Sequence, residues 1–337
     1  MFPLLVKPAG ADCNLACGYC FYREKSELYP DVRHPRMGDD VLRELLRQYP
    51  AGSIAFQGGE PTLMGEGFFR KAAEWGRGVE FSLQTNGTLI DRSLARFLAR
   101  EDWLVGVSID GPKDIHDRYR QRFDAALAGY RELVAAGVKA NTLTLVSAAN
   151  IGRAREVYRF LRDRVGSRFH QYIECTTPER FAIDGERWGD FLIELFDTWA
   201  GDGDQHRVSI RLFDSMVSQL VYGHASVCQF SDTCRNYLVV EWNGDVYPCD
   251  FHVNRETKLG NIMERSLEEM FLDAREWAFG ERKRDWADEC GRCEFLPFCR
   301  GDCPKNRDPA TRQSRLCAGY KRFFAHALPR LEAILRG

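Results

Sequence analysis

The chain has no long apolar run. Its N-terminal stretch Phe2 to Val6 is far too short for a signal-peptide core, and nothing approaches the roughly 20 apolar residues of a membrane span. An excess of one charge is missing too. Against 49 Asp and Glu stand 47 Lys and Arg, a formal net charge of -2, so the chain has no electrostatic footprint for nucleic acid. No G-x-x-x-x-G-K-S/T or G-x-G-x-x-G pattern follows a β-rich run, which removes the usual phosphate-cradling loops. These absences predict a cytoplasmic protein that engages neither nucleic acid nor membrane. The composition, 44% hydrophobic and 28% charged, is ordinary for a chain that buries a core. A length of 337 residues allows two domains, or one with a large appendage.

What the chain does have is cysteine, twelve of them. In a reducing cytosol, clustered cysteines read as metal ligands. Eleven fall into two groups, and Cys175 stands alone, expected as a buried thiol at a strand end. The first group, Cys13, Cys17 and Cys20, has C-x3-C-x2-C spacing. Three is odd: a closed zinc site takes four ligands and disulfides take pairs. Three thiolates on one tight loop suit a four-iron cluster that lacks its fourth ligand, leaving one iron open. The second group comprises Cys228, Cys234, Cys249, Cys290, Cys293, Cys299, Cys303 and Cys317. By spacing alone, Cys290, Cys293, Cys299 and Cys303 could form a four-Cys zinc site and the other four a second. Three plus eight is equally the arithmetic of one open cluster and two fully ligated ones.

The first two-thirds of the sequence alternates β-rich runs with helical patterns, which predicts βα units on a parallel sheet. Strands are expected near Leu4–Lys7, Ser53–Gln57, Val79–Leu83, Leu104–Ile109, Ala140–Val146 and His170–Glu174, with helices at 39–49, 66–76, 91–100, 122–136 and 151–164. Six such units make a partial barrel, with chemistry in the loops at the C-terminal ends of the strands. The cysteine loop follows the first strand, Gln57-Gly58-Gly59-Glu60-Pro61-Thr62 the second, Gln84-Thr85-Asn86-Gly87-Thr88 the third and Ser108-Ile109-Asp110-Gly111-Pro112 the fourth. Gly58-Gly59 would let backbone approach a ligand closely, and Arg120 could pair with a carboxylate. An aromatic stripe, Trp188, Phe191, Phe196 and Trp199, is expected to be core, and 211–227 a linker helix. Asn243-Gly244 between β-prone runs predicts a type I′ hairpin.

The three-cysteine spacing, with Tyr19 before the last Cys, resembles the radical S-adenosylmethionine superfamily. Cys234 through Gly244 to Cys249, then C-x2-C-x5-C-x3-C and Cys317, resembles its SPASM extension. With Lys7-Pro8-Ala9, Cys20-Phe21-Tyr22, Phe56 to Leu63, Ser82 to Asp91, Val105 to Lys113 and Tyr247-Pro248-Cys249-Asp250-Phe251, the whole chain is similar to anaerobic sulfatase-maturating enzymes.

That resemblance implies a partial (β/α)6 barrel at 1–210, a linker helix and SPASM domain at 211–303, and a C-terminal helical segment at 304–337. It implies three 4Fe-4S clusters: Cys13, Cys17 and Cys20 for the catalytic one, Cys228, Cys234, Cys249 and Cys303 for a first auxiliary one, and Cys290, Cys293, Cys299 and Cys317 for a second. S-adenosylmethionine contacts are implied for Tyr19, Gln57, Gly58, Gly59, Glu60, Gln84, Ser108, Arg120 and Thr176, and a substrate contact for Tyr22. The implied reaction oxidises a Cys or Ser in a sulfatase C/S-x-P-x-R peptide to Cα-formylglycine. Asp250 would be the proton acceptor, the auxiliary clusters the electron acceptors, and a flavodoxin- or ferredoxin-type protein the low-potential donor.

Two rivals remain at this stage. One is a SPASM enzyme that modifies another ribosomal peptide by thioether formation, epimerisation or crosslinking. Such enzymes often carry a leader-binding domain before the barrel, and only twelve residues precede Cys13. The other is a non-catalytic iron–sulfur electron carrier or zinc protein.

Overall fold

The computed structural model describes residues 2–336. Six strands alternate with helices as the periodicity predicts: β1 (Leu4–Lys7), β2 (Gly52–Phe56), β3 (Val79–Thr85), β4 (Leu104–Ser108), β5 (Lys139–Val146) and β6 (Phe169–Glu174). Four shorter strands follow, β7 (Ser209–Ile210), β8 (Leu238–Glu241), β9 (Asp245–Tyr247) and β10 (Gly260–Asn261). The chain forms two compact units, each built from separate stretches. One takes residues 1–108, 120–140 and 235–280, the other 109–119, 141–234 and 281–337.

In the first unit, β1, β2, β3 and β4 pair in parallel and in sequence order. Strand β8 joins the free side of β1, also in parallel, with Leu4 opposite Leu238 and Lys7 opposite Glu241. Strands β9 and β10 then extend the sheet antiparallel. Parallel pairing puts the loops after β1, β2, β3 and β4 at one edge, the place that the polar, glycine-bearing motifs require.

The helices of this unit bury the faces that their spacing marks. Over Arg92–Arg100, Leu94, Ala95, Phe97 and Leu98 are buried, and the Asp91 carboxylate caps the start by accepting from Leu94 N at 2.9 Å. Beneath them Trp103 lies with ring centroids 4.9 Å from Phe81, 5.7 Å from Phe69, 5.8 Å from Phe56 and 6.0 Å from Phe97. This aromatic core holds the sheet that carries the loops.

In the second unit β5, β6 and β7 pair in parallel. The expected aromatic stripe is core: Trp188, Phe191, Phe196 and Trp199 all lie on the buried face of the helix Gly185–Gly201, capped by Asp184. The expected linker helix is shorter than its pattern, Arg211–Tyr222, ended by Gly223 in the left-handed region. Cys175, expected as a buried thiol, is 1% exposed just after β6.

The hairpin turn differs from expectation. A type I′ turn needs positive φ at Asn243 and Gly244 both, and only Gly244 has it, at +87°. Gly244 N donates to Glu241 O at 2.9 Å, so Trp242 and Asn243 are the central residues and Gly244 follows as a left-handed bulge. Asn243 Oδ1 accepts from Asp245 N at 3.1 Å, which favours this turn.

Candidate active site and cluster ligands

The three-cysteine loop is wound by its own backbone. Gly10 N donates to Lys7 O, Asp12 N to Ala9 O and Cys20 N to Cys17 O, each at 3.0–3.2 Å. Leu15 N points at Cys13 Sγ, 3.4 Å away. Asn86, from the loop after β3, donates through Nδ2 to Cys13 Sγ at 3.7 Å and to Asn14 Oδ1 at 2.8 Å. Asn14 in turn donates to Thr88 Oγ1 at 2.9 Å. Asn86 is thus a site residue that the sequence reading flagged only as part of a polar loop.

The glycine pair after β2 has a definite purpose. Gly59 N donates to Gly10 O and Glu60 N to Asp12 O, both at 2.8 Å. A Cβ on Gly59 would lie 1.9 Å from Asp12 O, so only glycine fits. The backbone that the pair approaches is therefore that of the cysteine loop. Glu60, expected among the cofactor contacts, is fully buried, its oxygens accepting from Thr62 N, Thr62 Oγ1, Thr85 Oγ1 and Asn86 N at 2.6–3.0 Å. It ties the loops after β2 and β3 together. Burial raises its carboxyl above the ordinary range, and those four donors oppose the rise.

Further along the same edge, Gln84 Nε2 donates to Ser108 Oγ at 3.3 Å. The Arg120 guanidinium lies 5.5 Å from the Tyr19 ring centroid, and Cys17 Sγ meets Arg120 O at 3.8 Å. Gln57 begins the glycine loop, its N–H donating to Val6 O at 2.9 Å. Tyr19, Gln57, Gly58, Gly59, Gln84, Ser108 and Arg120 thus belong to the unit that carries the three cysteines. Thr176 belongs to the other unit, buried, bonded to Asn306 Oδ1 at 2.8 Å and to Lys305 Nζ at 3.0 Å.

The chain leaving Cys20 runs onto the turn that bears Asp250. Phe21 stacks on Phe251 with centroids 4.3 Å apart, and Tyr22 is buried with Val239, Tyr247 and Val253. Asp250 Oδ1 accepts from Tyr237 OH at 3.2 Å, and Oδ2 lies 3.7 Å from Lys7 Nζ. Lys7 is 1% exposed, at the end of an otherwise apolar strand, and its ammonium lies over the Tyr22 ring at 4.6 Å. Burial lowers its pKa, and Asp250 and Glu241 hold it up. Glu241 is equally buried, accepts from the Tyr22 hydroxyl, and is pushed up to about 7 by burial. The hairpin aspartate therefore stands before a dry set of Lys7, Glu241 and Tyr22. Tyr22, expected as a substrate contact, spends its hydroxyl there.

In the second unit, Cys290, Cys293, Cys299 and Cys317 line one cavity, with Asp302, Ser314, Tyr320 and Phe324. Cys228, Cys234 and Cys303 belong to the same unit, while Cys249 stands in the first unit beside Tyr237 and Asp250. Among the described residues no three His, Cys, Asp or Glu side chains converge on a point that one metal ion could share.

Burial pushes the Cys13 thiol up to about 11, with Glu60, Cys17 and Cys20 adding to the rise, and pushes Cys299 and Cys303 up to about 12. A bound iron deprotonates a ligating thiol outright, so loading these sites would release protons. The donor sets fit iron–sulfur clusters.

Comparison with known proteins agrees. The radical SAM superfamily matches residues 8–161, and an iron–sulfur cluster-binding domain, SPASM, matches 226–294. A cysteine-type anaerobic sulfatase-maturating enzyme of Clostridium perfringens is 35% identical, over 97% of this chain and 96% of its own length. A serine-type enzyme of Bacteroides thetaiotaomicron is 33% identical, over 98% and 90%. The solved structure of native anSMEcpe with bound AdoMet and Cp18Cys peptide superposes with a TM-score of 0.91 at 34% identity, covering 98% of both chains. Streptococcus suis SuiB, at 17% identity and a TM-score of 0.67, shares the fold. The chain belongs to the anaerobic sulfatase-maturating enzymes of the radical SAM superfamily.

Proposed function

We propose that this protein oxidises the Cys or Ser side chain of a C/S-x-P-x-R segment, in an unfolded sulfatase, to Cα-formylglycine. One observation carries the reading to particular residues: the chain that leaves the three-cysteine loop packs, through Phe21, on the turn that bears Asp250. The group that would take a proton is thereby tied to the loop that would hold the catalytic iron.

In this reading Cys13, Cys17 and Cys20 hold the catalytic cluster. Cys228, Cys234, Cys249 and Cys303 hold one auxiliary cluster, and Cys290, Cys293, Cys299 and Cys317 the other. Tyr19, Gln57, Gly58, Gly59, Gln84, Ser108, Arg120 and Thr176 position S-adenosylmethionine, with Glu60 bracing their loops from behind. The barrel is assigned to 1–210, the SPASM region to 211–303 and the terminal helical segment to 304–337. When bound, the catalytic cluster and S-adenosylmethionine supply the one-electron chemistry that removes a hydrogen atom from the target Cβ.

The side chains do the rest. Asp250 accepts the thiol or hydroxyl proton, a task suited to a partly shielded carboxylate. Lys7 stands 3.7 Å from that carboxylate, a cation beside the base. Tyr237 fixes the carboxylate's direction. Removal of one hydrogen atom, one proton and one electron is a two-electron oxidation, with the electron leaving toward the auxiliary cysteines. It turns Ser into the aldehyde directly and Cys into a thioaldehyde, which water hydrolyses to the aldehyde with release of hydrogen sulfide. A flavodoxin- or ferredoxin-type protein supplies low-potential electrons.

The test is anaerobic incubation of the iron-loaded protein with C-x-P-x-R and S-x-P-x-R peptides, S-adenosylmethionine and reductant. An aldehyde-sized mass loss that a hydrazine traps is expected. A thioether or crosslink, or 5′-deoxyadenosine with unaltered peptide, would overturn the proposal.

A further inference from the structure

The second unit carries a buried charge network that the reaction does not use. Its carboxylates are Glu174 and Asp302, and its cations are Lys283, Lys305 and Arg307, all at or below 10% exposure. The carboxylates are spoken for. Glu174 pairs with Lys305 at 3.2 Å and accepts from Asn306 Nδ2 at 3.0 Å. Asp302 accepts from Gln229 Nε2, Asn306 Nδ2, Ser314 Oγ and Cys303 N at 2.6–3.0 Å. Three cations against two carboxylates leave one positive charge over.

Among the described residues, Lys283 and Arg307 both lack a carboxylate within ion-pair range, and Lys283 is the more buried of the two. It is fully buried, and its ammonium donates to the main-chain oxygens of Gln229 and, at 2.7 Å, of Asp302. Among the described residues no carboxylate oxygen is within ion-pair range of Nζ. Burying an ammonium on carbonyls alone is costly. Its two carbonyl partners each adjoin a cysteine in the chain, Gln229 following Cys228 and Asp302 preceding Cys303. Arg307 is the other cation with no carboxylate, but its guanidinium is filled by the carbonyls of Gly301, Arg282, Asp285, Lys283 and Asp302 and serves to hold that loop.

We propose that Lys283 is a built-in counter-charge for the cluster that Cys228, Cys234 and Cys303 help to hold, raising its reduction potential so that it accepts the electron released by substrate oxidation. The inference rests on the cysteine assignment above. Its physics is simple: taking up one electron adds a negative charge beside a fixed cation, in surroundings too dry to screen it. Lys283 touches no reacting atom and is a positioning residue.

The experiment is a redox titration of the loaded protein followed by electron paramagnetic resonance, with iron counted in parallel. Lys283→Gln keeps a donor for the carbonyls without the charge, and Lys283→Arg keeps the charge. The expected result is one auxiliary midpoint moved to lower potential in Lys283→Gln and restored toward wild type in Lys283→Arg. Should glutamine fail to pack, Lys283→Met is the second neutral variant, read in the same way. Unmoved midpoints in a neutral variant with full iron would overturn the proposal. So would a shift in Lys283→Arg that equals the neutral variant's. A wild-type iron count well short of about twelve per chain would instead overturn the assignment of three clusters.

Discussion

At the scale of single residues, two carboxylates have opposite fates. Asp250 is held by Tyr237 and Lys7 at the edge of a dry pocket, with 14% of its side chain exposed. Asp250→Asn keeps the shape and removes the proposed base. Formylglycine formation is expected to fall about 100-fold while reductive cleavage of S-adenosylmethionine persists, a split that chromatography of 5′-deoxyadenosine against peptide mass reads directly. Equal loss of both activities would mean that Asp250 supports the site rather than the proton transfer.

Glu276 is fully buried with neither side-chain oxygen hydrogen-bonded, 3.9 Å from Arg235 Nε. Burial pushes its carboxyl up from 4.5 to about 8, and Arg235 only partly opposes this. The folded state therefore binds the proton more tightly than the unfolded state does. The resulting stability is complete below 4.5 and is lost as the pH rises toward about 8. Across that window the wild type should lose stability relative to Glu276→Gln by up to about 1.4 kcal/mol per pH unit, measured by anaerobic denaturant unfolding at several pH values. Parallel pH profiles would refute this.

At the scale of elements, the decisive contact is between two loops. The glycine pair after β2 and the cysteine loop after β1 share two backbone hydrogen bonds at a separation that no side chain tolerates. Gly59→Ala places a methyl group against Asp12 O and must part the loops. The loss expected is that of the catalytic cluster, about a third of the iron, together with S-adenosylmethionine binding, while the auxiliary signals stay. Iron analysis and spectroscopy decide it, and full iron with intact cofactor binding would show the loops to be independent.

The hairpin teaches a related lesson. Asn243-Gly244 marked a turn correctly, but pairing of β8 with both β1 and β9 set its form, and the extra residue became a left-handed bulge at Gly244.

At the scale of the molecule, eleven cysteines stand in the two groups proposed as ligand sets. Ligand binding and folding are then coupled. Chelation of iron under anaerobic conditions should lower the unfolding midpoint by at least ~5 °C. A midpoint indifferent to chelation would show that the cysteine regions fold on their own. Among the described residues no helix is long and apolar enough to cross a membrane.

The alternation of strands and helices, the polar loops at one edge and the cysteine arithmetic were all legible in the sequence, because each depends on short-range periodicity or on residue types that few roles can explain. The aromatic stripe was legible as core for the same reason. What no local pattern held was which distant groups meet. That Glu60 turns inward, that Lys7 and Glu241 form a dry pair behind Asp250, and that Lys283 lies buried without a carboxylate all depend on residues far apart in the chain. Periodicity determines which face of an element is apolar. Only tertiary packing decides which charge stands opposite another, because desolvation and Coulomb energy depend on distance in space and not along the chain.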